Sequence, residues 1–314
     1  MLVSMTDSIF RAEALPETLL RLPPREAVEW VRRSVDRGGR VLSIEPLAGG
    51  MSHGNHLIRV EAARSTHEVV LRRWVRPDWH ETDPEFSPAQ EAATYGLLAS
   101  SAVSAPSLLA TDTEPSECDV PAILLTRMPG TRPTKPANMS SFLAQLAGAL
   151  QPVHEISPRL ASLPLPPYRP YYLREQLHAP AWTRWPSIWE CAIEMATGPE
   201  PVEPAVFIHR DYHPGNTLWV DDELTAIVDW TTASWGSRSV DLAHMRANLA
   251  MSFGVEAADG FLSAYRSVVG LPADLDPYWD LRAAVDFLPE LRSEISPQLA
   301  RLDDFVARAV AALR

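Results

Sequence analysis

The chain has 314 residues, 46% hydrophobic and 22% charged, the balance of a globular protein able to bury one large core or two smaller ones. Its 28 basic and 40 acidic side chains leave a net charge of −12, which argues against nucleic acid as a partner and suits a cationic substrate or simple solubility. Two cysteines at no metal-ligand spacing, an acidic segment Met1–Pro16 without an apolar signal core, and no run long enough to span a bilayer exclude a disulfide scaffold and a membrane partner, and predict a cytoplasmic protein.

In chain order, Pro24–Arg37 places Ala27, Val28, Val31 and Val35 at helical spacing beside Trp30, and predicts a packing helix. Three strands are expected next: Val41–Leu47, His56–Val60 and Glu68–Trp74. The connection between the first two holds Gly49, Gly50, Ser52, His53 and Gly54. Glycines there let backbone N–H groups approach a phosphate, and Ser52 adds a hydroxyl. The third strand carries Arg72 and Arg73, which alternation sends to opposite faces. Lys135 is the only lysine, and it lies in the proline-bearing segment Pro129–Pro136. A phosphate-binding cation on a strand therefore has to be an arginine.

Ser87–Ala99 reads as a helix with Pro88 at its first position and Ala92, Tyr95, Leu98 and Ala99 in a stripe beside Glu91. Pro121–Thr126 is a further predicted strand, ended by Arg127-Met128-Pro129-Gly130. Met128 and Ile123 suit either a base pocket or plain core. Ser140–His154 and Pro186–Ala196 are predicted helices, and the proline- and tyrosine-rich Pro158–Pro180 between them is a surface loop. Trp182, Trp185 and Trp189 make either core or an aromatic wall for a substrate. Thr231–Val240 reads as a loop. Helices follow over Leu242–Met251, Val255–Val269, Pro277–Leu288 and Ser296–Leu313.

The densest polar pattern is His209-Arg210-Asp211-Tyr212-His213-Pro214-Gly215-Asn216, between the strand Ala205–Ile208 and a hairpin of Thr217–Val220 with Leu224–Val228. A turn at Asp222-Glu223 puts Asn216 opposite Asp229, close enough for the two to hold one hard cation such as Mg²⁺. That turn pair is not a favoured one, so a register one residue away is also open. Asp211 reaches the same end of the hairpin. An Asp, an Asn five residues on and an Asp at a hairpin end match the H-R-D-x-x-x-x-N and D-F-G arrangement of phosphoryl transfer. An alternative takes His209, Asp211 and His213 as ligands of a hydrolytic metal.

The His-Pro-Gly-Asn variant, joined to Asp229-Trp230, resembles the aminoglycoside phosphotransferase and choline-kinase-like family more than the protein kinases. The resemblance implies an α+β, protein-kinase-like fold: a small antiparallel-sheet N-lobe (1–126) for nucleotide and a larger, mostly helical C-lobe (127–314) for catalysis and acceptor. It implies a Mg²⁺-dependent kinase moving the γ-phosphoryl group of ATP or GTP to a hydroxyl of a small molecule, with antibiotics as the expected acceptors. Asp211 is then the catalytic base, and Asn216 and Asp229 hold the metal. The loop of Gly49, Gly50, Ser52, His53 and Gly54 covers the phosphates. Arg72, which follows a leucine as in the family, binds them and is oriented by Glu91. Thr126 and Met128 mark the hinge at the base, and His209 and Asp241 brace the catalytic loop. A nucleotide-binding regulator without turnover is the other alternative.

Overall fold

The computed structural model describes residues 17–47, 53–76, 86–157, 165–270, 275–291 and 296–314. A short helix α1 (Glu17–Leu20) and α2 (Arg25–Val35) precede strands β1 (Arg40–Pro46), β2 (Gly54–Glu61) and β3 (Thr66–Arg73). Helix α3 (Pro88–Leu98), β4 (Leu108–Asp112) and β5 (Ala122–Thr126) follow, and the five strands form one antiparallel sheet in the order β1-β2-β3-β5-β4. Strand β4 is absent from the predicted elements: it is five residues at the sheet edge with a mixed apolar and polar sequence. Its end is fixed by a local turn, since the Asp112 carboxylate accepts the backbone N–H groups of Ser116, Glu117 and Cys118.

Alternation divides this sheet into two faces. Val69, Leu71, Ala122 and Leu124 pack with Ala27, Trp30 and Val31 of α2. Ile123 and Leu125 point the other way, against Trp74 and the α3 residues Tyr95, Leu97 and Leu98. That second core continues into the C-terminal half, through Phe142, Leu146 and Leu150 of α4 (Met139–His154) and Phe207. Arg72 therefore faces α3 and the interior between the halves, whereas Arg73 faces away and pairs with Asp119.

The C-terminal half adds α5 (Pro186–Ala196), α6 (Arg238–Phe253), α7 (Val255–Val269), α8 (Pro277–Asp286) and α9 (Pro297–Ala312). Trp189 is fully buried among them and donates its indole N–H to Asp303 at 2.7 Å, with Trp182 edge-on at 5.8 Å. Trp182 and Trp189 are core, while Trp185 is exposed with the Arg184 guanidinium 4.4 Å from its ring centre, so the three do not form one aromatic wall. Strand β6 (Ala205–Ile208) pairs with β9 (Ser234–Ser237), where a loop was predicted. Ser-Trp-Gly-Ser has little strand propensity, but the backbone of β6 needs a partner there. Gly236 lets Tyr168 pack closely on β9: a Cβ on it would stand 2.6 Å from that of Tyr168.

Strands β7 (Thr217–Val220) and β8 (Glu223–Ile227) form the expected hairpin with a different turn. Its central residues are Asp221 and Asp222, at φ 49° and 63°. A two-residue turn with both central residues left-handed is the type that matches strand twist, and aspartate tolerates it better than glutamate. The register is Thr217 opposite Ile227, with an irregularity between Leu218 and Trp219. Asn216 consequently faces Val228, whose N–H it accepts at 2.9 Å, and not Asp229.

Candidate active site

The loop after β6 is built by four anchors. The Asp241 carboxylate, in the first turn of α6, accepts the backbone N–H groups of His209 (2.9 Å) and Arg210 (2.7 Å). These bonds hold Arg210 at φ 70°, a conformation an arginine adopts only under constraint. The buried Tyr212 donates its hydroxyl to the carbonyl of Leu146 at 2.8 Å. The His209 ring lies 4.5 Å from that of Trp230, and its Nε2 donates to the carbonyl of Val228 at 3.0 Å, tying the loop to the strand that leads to Asp229. His154 adds a 3.1 Å contact to Asp241, so the carboxylate beneath the loop is fully engaged.

Asp211 and Asn216 touch at the base of the β7–β8 hairpin, and Asp229 lies near enough for the Asp211 charge to act on it. The Asn216 amide donates twice to Asp211, to its carbonyl (3.0 Å) and to its Oδ2 (2.9 Å). Its own Oδ1 is thereby left as an acceptor. Asp229 has φ 65°, and this left-handed residue, not a direct pairing with Asn216, returns its carboxylate to the same end. One of its oxygens, Oδ1, accepts from Arg72 and Thr231. Two hard oxygens, one amide and one carboxylate, remain for a cation, and they fit magnesium better than a softer metal.

Charge in the cleft follows from burial and neighbours. Burial works to raise the Asp211 carboxyl, but His213, then the hydrogen bond and charge of His244, outweigh it and hold the carboxyl well below the ordinary range. Burial lowers His213 to about 4 against the pull of Asp211. Burial also disfavours ionised Asp229, and the Arg72 guanidinium overcomes it. The result is two ionised carboxylates, Asp211 and Asp229, in one site.

Arg72 is the hub of the other side. Its Nε lies 3.0 Å from the buried Glu91 of α3, Nη1 donates to Asn55 at 3.3 Å, and Nη2 reaches Asp229 (2.8 Å), His53 Nδ1 (3.0 Å) and the Thr231 hydroxyl. Burial opposes its charge, and Glu91 with Asp229 restores it. Burial raises Glu91 to about 7 in spite of Arg72. His53 is driven well below its usual value by burial and by Arg72, so it is neutral and accepts from the guanidinium. A lysine has no planar fork to serve acceptors in so many directions.

The structure does not gather every residue singled out in the sequence. Gly49, Gly50 and Ser52 lie outside the described residues. Gly54 is within β2, packed against Val75 and the carbonyl of Leu19. Thr126 ends β5 and accepts the N–H of Ser107 at 2.8 Å, and the Met128 carbonyl accepts from Arg127. Among the described residues no group of three or more His, Cys, Asp and Glu side chains is disposed to hold a metal ion, and His209 points at Val228 instead of at Asp211's neighbours. That removes the His-x-Asp-x-His ligand set. Contacts that the sequence did not reveal include Asn55 and Thr231 on Arg72, and His244, whose Nε2 stands 3.1 Å from Asp211 Oδ1. The available signal was the three-residue step from Asp241 to His244, which places both on one helix face.

A kinase-like two-part fold with this cleft defines a small-molecule phosphotransferase. The chain matches the model of the phosphotransferase enzyme family over residues 43–310 and belongs to that family. No curated protein sequence matches it. Similar solved structures include a macrolide 2′-phosphotransferase from Brachybacterium faecium (18% identity, TM-score 0.55, covering 84% of this chain and 89% of that one). Another is a choline kinase from Streptococcus pneumoniae (16%, 0.56, 91% and 98%). A third is the ternary complex of streptomycin, ATP and APH(2″)-IIa (12%, 0.54, 84% and 88%).

Proposed function

We propose that the chain transfers the γ-phosphoryl group of ATP or GTP to a hydroxyl of a small molecule, with an antibiotic of the aminoglycoside, macrolide or nucleoside type as the leading acceptor. The observation that carries this reading is the 2.8 Å pair between Arg72 and Asp229, which joins a Glu91-backed strand cation to the end of the hairpin where Asn216 and Asp211 meet. Nucleotide lies between an N-lobe of residues 1–126 and a C-lobe of residues 127–314, with the base near Thr126 and Met128. Arg72 turns its remaining Nη1 hydrogen to the phosphates under the loop of Gly49, Gly50 and Ser52. Asn216 and Asp229 would hold magnesium, which when bound neutralises charge on the β- and γ-phosphates. Asp211 orients the acceptor hydroxyl and takes its proton as the bond to phosphorus forms. Catalysis is then mainly positioning and charge stabilisation. The choline kinase and macrolide and streptomycin-binding relatives support hydroxylated acceptors, and the ATP complex supports the donor. No helix among the described residues is long and apolar enough to cross a membrane, and we place the enzyme with its nucleotide in the cytoplasm.

A mass-spectrometric screen tests the reading: the protein, magnesium and ATP or GTP are incubated with aminoglycosides, macrolides, nucleoside antibiotics, choline and sugars. A phosphoryl gain on one class is expected. Nucleotide binding with neither transfer nor hydrolysis would establish the turnover-free regulator instead.

A further inference from the structure

We propose that His244 is a positioning residue that fixes the Asp211 carboxylate to take the proton of the acceptor hydroxyl as that hydroxyl attacks phosphorus; the inference rests on the phosphotransfer reading of the site. The torsion that carries a carboxylate is broad, so a single hydrogen bond leaves its plane free to turn. Asp211 is held on both oxygens. Asn216 donates to Oδ2 at 2.9 Å, and His244 Nε2 stands 3.1 Å from Oδ1. An ionised carboxylate only accepts, so Nε2 carries the proton.

The third polar neighbour does not do this work. His213 Nε2 is 3.8 Å from Oδ2, beyond hydrogen-bond range, and its Nδ1 accepts from Gly215 in the same loop. Asn216 also belongs to that loop. His244 is the donor that comes from outside it, on the 16-residue helix α6. One turn earlier, Asp241 on the same helix holds the loop's backbone at His209 and Arg210. One face of α6 thus fixes both the backbone and the carboxylate of the loop, and a rigid helix is a better reference than the loop itself. Exposure assigns the roles. The Asp211 side chain is 37% exposed and open to an acceptor, while that of His244 is 11% exposed, with the Phe287 ring edge-on at 5.2 Å.

The test uses the full chain with His244→Ala, His244→Gln, Asp211→Asn and the Asp211→Asn/His244→Ala double variant. Turnover is read with magnesium-ATP and the acceptor that gains phosphate in the screen, or with water as acceptor where none does. His244→Ala is expected to lower kcat about 10- to 100-fold, as a small misplacement of a reacting group does, with nucleotide KM changed less than about threefold. His244→Gln, whose amide N–H reaches the same oxygen, should recover several-fold of that loss. In the Asp211→Asn background His244→Ala should cost less than about threefold, because the partner it positions is gone. A proton–nitrogen spectrum of the parent should show a hydrogen-bonded imidazole Nε2–H resonance that moves in Asp211→Asn. Parent-like kcat in His244→Ala, or an equal loss with and without Asp211, would overturn the proposal. Should the alanine variant unfold, the imidazole resonance and His244→Gln decide: a resonance indifferent to Asp211, or parent-like kcat in a Gln variant that lacks that bond, overturns it. If Asp211→Asn keeps the parent rate, the base reading fails, and the resonance still reports whether His244 holds Asp211.

Discussion

Arg72 and Asp211 face the same cleft from opposite sides and are held by different means. Arg72 is enclosed by Glu91 of α3, Asn55 and His53 at the start of β2, and Asp229 and Thr231 beyond β8. These come from distant parts of the chain, and removing any one leaves several. Asp211 sits in an eight-residue loop, and its carboxylate is held by Asn216 from within that loop and by His244 from α6. The lesson is that a buried cation can be held redundantly, whereas a reacting carboxylate that must stay open on one side relies on few supports.

Substitutions can break this contrast. The largest effect is expected for Asp229→Asn, chosen because asparagine tolerates the left-handed backbone at φ 65°. Magnesium-dependent turnover should fall by more than about 10³-fold while the melting temperature holds, since Arg72 keeps Glu91. Normal turnover at ordinary magnesium would remove Asp229 from the metal site. Asp211→Asn should preserve nucleotide affinity and lower kcat by roughly 10²–10⁴-fold, the span of a general base. A variant keeping more than about a tenth of the parent rate takes Asp211 out of the chemistry.

The adjacent arginines sharpen the comparison. Arg72→Ala should weaken nucleotide use about 10- to 100-fold, the value of one or two charge-assisted hydrogen bonds, with Arg73→Ala near the parent because its partner Asp119 lies on the other face. Equal losses would show that the face assignment does not govern nucleotide binding. The smallest effect concerns acid stability. His213 is lowered to about 4 by burial, against 6.5 for a free histidine. Between those values the unfolded chain binds a proton that the folded chain does not, so stability present above about pH 6.5 is lost as pH falls, and levels off below about 4. His213→Asn should spare about 1–2 kcal/mol of that loss, because the side chain is partly solvated. Parallel denaturation curves for the two proteins across this range would refute the burial of a neutral His213.

Contiguous and periodic features were legible from the residues alone. The bounds of α5, α7, β6 and β7 follow from apolar period and flanking proline, glycine or aspartate, and His209–Asn216 announces itself because its parts lie within one loop. Glu91 could be singled out only through the resemblance. What tertiary structure decided is of another kind. The hairpin turned at Asp221-Asp222, because backbone twist favours two left-handed residues there, and that one-residue shift is offset by the conformation of Asp229. β9 formed where propensity is poor, because β6 had backbone groups to satisfy. The face chosen by Arg72 and the pairing of His244 with Asp211 depend on how a sheet and a helix pack 157 and 33 residues away from their partners, a separation that no local pattern encodes.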